Sequence, residues 1–66
     1  MNVYLLIAKY EFLLGELVDA VRRGENPEKY VKAVRRLRRR LEKVLPVEKL
    51  NLLKTIEERF LAVAGL

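Results

Sequence analysis

Val21-Arg22-Arg23-Gly24-Glu25-Asn26-Pro27-Glu28 ends one helix and begins another within about three residues. Arg22 and Arg23 fall in a last turn, where cations suit the negative end of the helix dipole, and Gly24 can take the left-handed conformation that stops a helix. Asn26 then offers a capping side chain. Pro27 occupies a first helical position, where its missing N–H costs nothing, and Glu28 puts an acid in the first turn. A connection this short leaves the two helices side by side and antiparallel.

Upstream of that turn, Val3, Ile7, Tyr10, Leu14, Leu17 and Val21 alternate in steps of four and three, the spacing of a seam facing another helix. Helix 1 therefore spans about residues 2–23, with Asn2 as its N-cap. Downstream, Tyr30, Val34, Leu37, Leu41 and Val44 repeat the spacing over residues 27–44, and Leu50, Leu53, Ile56, Phe60, Val63 and Ala64 continue it over 47–64. Pro46 stands between and must either end helix 2 or kink one long helix. Carrying the helix 2 seam past Val44 would bury Glu48 and Asn51, whereas the apolar stripe restarts in a different phase at Leu50, so a break is the better reading. The expected fold is all-α, a small three-helix bundle forming one domain over residues 1–66, packed as a homodimer. A hexamer shared by Val18–Arg23 and Val31–Arg36 does not extend and is read as chance.

The homodimer is expected for two reasons. At 66 residues a single core gains little net stability, and with no Cys the chain has no disulfides to help. Leu5, Ala8, Phe12 and Gly15, spaced three, four and three apart, also form a second stripe on helix 1 opposite its main seam. A helix in a monomeric bundle needs one apolar arc, so these four residues form the expected oligomer interface unless helix 3 wraps far enough to cover them.

The chain has no His, Cys, Ser, Gln or Trp, which removes the usual proton shuttle, the thiolate and the serine nucleophile. No catalytic, cofactor or metal residues are expected, and the protein is read as a non-enzyme. Few Asn and no Gln or Cys beside many Arg, Lys and Glu match the trend of proteins from hot environments. The longest apolar run, Val3 to Ala8, is too short to span a bilayer and follows no basic region, so a cytoplasmic location is expected.

The formal charge of +5 resides entirely in one segment. Residues 1–24 and 46–66 each balance three bases against three acids, while residues 25–45 hold eight bases against Glu25, Glu28 and Glu42. On helix 2, Lys29, Lys32, Arg36, Arg39, Arg40 and Lys43 project opposite Tyr30, Leu37 and Leu41, with Arg35 at the edge. A helix of about 18 residues is about 27 Å long, enough for this band to follow several phosphates of a DNA or RNA backbone. The band has no Asn or Gln to read base edges and no interleaved aromatic, so sequence-independent phosphate binding is the consistent version. The alternative is a helical interaction module or accessory subunit docking on an acidic protein surface. Binding to anionic membranes is disfavoured, because helix 2 would have to withdraw its apolar face from the bundle.

Overall fold

The Asn2 side chain accepts a hydrogen bond from the Tyr4 N–H at 2.9 Å, satisfying one of the amides that a helix start leaves unpaired. In the computed structural model, which describes residues 2–65, α1 (Val3–Arg22) runs from this cap and is followed by α2 (Glu28–Glu42) and α3 (Val47–Val63). Gly24 ends α1 with φ at 74°. Its N–H bonds the Val21 carbonyl at 3.0 Å and the Glu25 N–H reaches the Ala20 carbonyl at 2.9 Å, so two of the helix's orphan acceptors are used in the turn. Asn26 Oδ1 accepts from the Glu28 N–H at 3.0 Å in the turn, and Pro27, expected as the first helical residue, is instead the N-cap of α2, its carbonyl accepting from the Val31 N–H at 3.0 Å.

Pro46 breaks the chain rather than kinking it. Its φ of −59° and ψ of 151° are extended, and its carbonyl already accepts from the Leu50 N–H of α3 at 3.0 Å. α2 ends at Glu42, two residues short of the expected residue 44, and the chain unwinds through turn bonds from the Lys43, Val44 and Leu45 N–H groups to the Arg40 and Leu41 carbonyls before Pro46 disfavours helical geometry at Leu45. Val44 accordingly leaves the seam and is exposed.

Tyr10, Leu14, Leu17, Val34 and Leu41 are the large side chains at the centre. α1 packs most extensively on α2 and less on α3, while α2 and α3 touch least. Since α1 must face both neighbours, its buried arc is turned from the expected seam: Leu6, Val18 and Ala20 are buried, whereas Val3, Ile7 and Val21 are only half-buried. On α3 the corrections are larger. Val63 is exposed, and Glu57, absent from the apolar seam, is 5% exposed. Its carboxylate accepts from the Arg38 guanidinium of α2. The Tyr10 hydroxyl of α1 lies beside it and donates a long bond to the Leu53 carbonyl at 3.4 Å.

Candidate nucleic-acid interface

Val34, Leu37 and Leu41 bury one face of α2, and this fixes what the opposite face presents. Lys29, Lys32, Arg35, Arg36, Arg39, Arg40 and Lys43 are all exposed, so the seven bases share one surface. Lys43 sits at the C-cap, one residue beyond the shortened helix. At 15 residues α2 is about 22 Å long, which matches roughly six nucleotides of one strand at 3.4 Å each. Arg39 and Arg40 occupy the last turn, where cations oppose the helix dipole's negative end.

Of the three acids in the same segment, Glu25 and Glu42 pair with groups off the band and Glu28 pairs within it. Glu25 takes two hydrogen bonds from Arg23 at 3.2 and 3.3 Å, which hold its carboxyl below, and the guanidinium above, their ordinary values. Glu28 lies 3.5 Å from Lys32, one turn along. Glu42 turns toward the α3 side and lies 3.9 Å from both Arg38 Nε and Lys54 Nζ. Lys29, Arg35, Arg36, Arg39, Arg40 and Lys43 therefore have no Asp or Glu partner within 4.0 Å among the described residues. Lys32, Arg35, Arg36 and Arg39 line a shallow cleft of about 260 Å³ without an acid in its wall. Lys29 Nζ lies 4.9 Å from the centre of the half-buried Tyr30 ring, which leaves that aromatic as a support for the band and not as a stacking platform.

Most of the second stripe of α1 stays uncovered: Leu5 is 68% and Phe12 64% exposed and Ala8 is exposed, so α3 does not wrap over these three, whereas Gly15 is half-buried and lines a cleft with Arg59, Phe60 and Val63 of α3. Leu5, Ala8, Lys9 and Phe12 line a groove of about 600 Å³ whose α2 wall is Arg40, placing the apolar stripe at the margin of the basic band. That neighbourhood could not be read from spacing within either helix, because it depends on how α1 and α2 are rotated against each other. No helix among the described residues is long and apolar enough to cross a membrane. No protein-family model, curated protein or solved structure matches this chain.

Proposed function

We propose that this protein is a cytoplasmic, non-catalytic homodimer that binds nucleic acid through the phosphates, without sequence preference, using the basic face of α2. The observation that carries the reading is the set of six exposed bases that have no carboxylate within 4.0 Å among the described residues, while Glu25 and Glu42 pair off the band and Glu28 offsets only Lys32. A face serving solubility alone would mix signs. Forked guanidinium donors suit phosphate oxygens, and two copies of the band would double the phosphates within reach on one strand or duplex. The uncovered stripe on α1 supports the homodimer, since an exposed Leu and Phe on one helix face are costly in a soluble monomer.

Titration of labelled duplex and single-stranded DNA and RNA between about 50 and 200 mM salt tests the assignment. Binding of similar strength to unrelated duplexes is expected. Its log K should fall linearly with log salt at about −0.9 per phosphate contacted, hence roughly −4 to −5 for a helix of this length. Absence of binding to every form at about 50 mM salt would transfer the band to an acidic protein surface.

A further inference from the structure

Gly15 lies inside α1, where glycine weakens a helix relative to alanine, yet a Cβ built there meets nothing within 4 Å. Among the described residues of one copy, nothing stands close enough to exclude a side chain there. On the same helix Leu5 and Phe12 are mostly exposed, so the contacts that would account for these residues lie outside the single copy.

The order of those residues identifies the occupant. Their spacings of three, four and three read the same in both directions, while their sizes alternate large, small, large, small. Reversing the order exchanges large for small. We infer that two copies pair antiparallel through α1, setting Leu5 over the partner's Gly15 and Phe12 over the partner's Ala8. This rests on the homodimer reading above and adds its orientation and register. Each position i then lies level with position 20 − i of the other copy, and both large side chains meet small ones.

Charge agrees with size. In a two-fold antiparallel pair the axis runs perpendicular to both helices, so each flank of α1 meets the same flank of its mate. At about 100° per residue, Glu16 lies on the same flank as Leu5 and Lys9, the flank walled by Arg40. Glu16 is half-buried with no base within 4.0 Å among the described residues, and Arg40 has no acid. The register brings Glu16 level with position 4 of the other copy, at the end of the groove that Leu5, Ala8, Lys9 and Phe12 share with Arg40, so the partner's Arg40 is the base on the facing flank. Two intermolecular ion pairs, one at each end of the interface, follow from the symmetry, and they leave Lys29, Arg35, Arg36, Arg39 and Lys43 of each copy as the bases without a carboxylate.

The chain has no cysteine, so single substitutions report the register directly. Leu5→Cys mixed with Gly15→Cys under mild oxidation should give at least tenfold more cross-linked dimer than either protein alone, because disulfides require Cα atoms within about 7 Å. Strong self-cross-linking of Leu5→Cys would indicate parallel helices and overturn the register while leaving the homodimer standing. Wild-type protein that sediments as a monomer at high micromolar concentration would overturn the homodimer and the register together. A charge exchange supplies the second measurement. Arg40→Glu or Glu16→Arg alone should weaken self-association about tenfold, and the double variant should recover to within about threefold of wild type. A double variant no stronger than the singles would also overturn the register.

Discussion

Arg38 of α2 donates to the buried carboxylate of Glu57 on α3, joining the two helices that otherwise touch least. Tyr10 of α1 lies beside the same carboxylate, so all three helices converge on one acid. Arg38 Nε and Glu57 Oε1 are both buried and make no hydrogen bond, which leaves the network only partly satisfied. A buried ion pair in that condition gives little net stability over an apolar pair of the same volume, and its removal in halves is costly.

The cost should be asymmetric. Arg38→Ala strands a carboxylate that is 6% exposed and should lose about 3 kcal/mol. Glu57→Ala should lose less, about 1–2 kcal/mol, because the Arg38 side chain is 27% exposed and Glu42 stands 3.9 Å from its Nε. Arg38→Met with Glu57→Leu should fall within about 1 kcal/mol of wild type. Urea unfolding of the four proteins checks this, and a larger loss for Glu57→Ala than for Arg38→Ala would contradict it.

Stability should decline in alkali through Tyr10. Burial raises the phenol above its ordinary value of 10.0, and the neighbouring Glu57 carboxylate adds to the shift against the smaller opposing effect of Arg38. The folded state thus holds this proton more tightly than the unfolded chain. Its contribution is complete below about pH 10 and is lost as pH rises from there through the folded value, at up to about 1.4 kcal/mol per pH unit. Tyr10→Phe should remove that slope while costing about 1 kcal/mol or less at neutral pH, since the hydroxyl's bond is long. Urea midpoints at pH 8 and pH 11 measure both, and equal alkaline losses in the two proteins would exclude Tyr10 as the cause.

Helix boundaries are legible in the sequence wherever one residue performs one local task. Asn2 caps, Asn26 takes the Glu28 N–H just before α2, Gly24 turns, and each does so through its own backbone or side chain. The direction of the basic band is legible too, because Val34, Leu37 and Leu41 leave α2 one way to face. The rotation of α1 is not, since its buried arc is set by two neighbours at once. Glu57 does carry a signal: it lies four residues after Leu53 and four before Leu61, an acid at core spacing. Its partner is the base on α2 that stands outside the outward band, and spacing within α2 alone does not reveal which base turns inward.

Reversal of Arg36, Arg39 and Lys43 to Glu should separate binding from folding. These side chains are exposed and oppose the Leu37 face, so the helical signal and melting temperature should stay near those of wild type. Affinity should fall by a similar factor for unrelated duplexes, and the salt slope should flatten by about 0.9 for each phosphate that is no longer neutralised. A weakening confined to one sequence would point to base readout and against this assignment.

Phe12→Asp should disconnect the subunits without unfolding them. At 64% exposure within one copy, Phe12 supports little of the monomer's core, so aspartate there should be tolerated in dilute protein. In the paired state the same carboxylate would enter a dry interface opposite Ala8 of the partner subunit and remain unpaired, at a cost of several kcal/mol. Association raises the melting temperature of wild type with concentration by mass action, so that dependence should vanish in the variant as its sedimenting mass halves. Nucleic-acid affinity should fall as well, although no base is altered, because two linked bands bind one strand or duplex more tightly than one. A wild-type melting temperature independent of concentration, or a variant that keeps the wild-type mass, would remove the homodimer from the account.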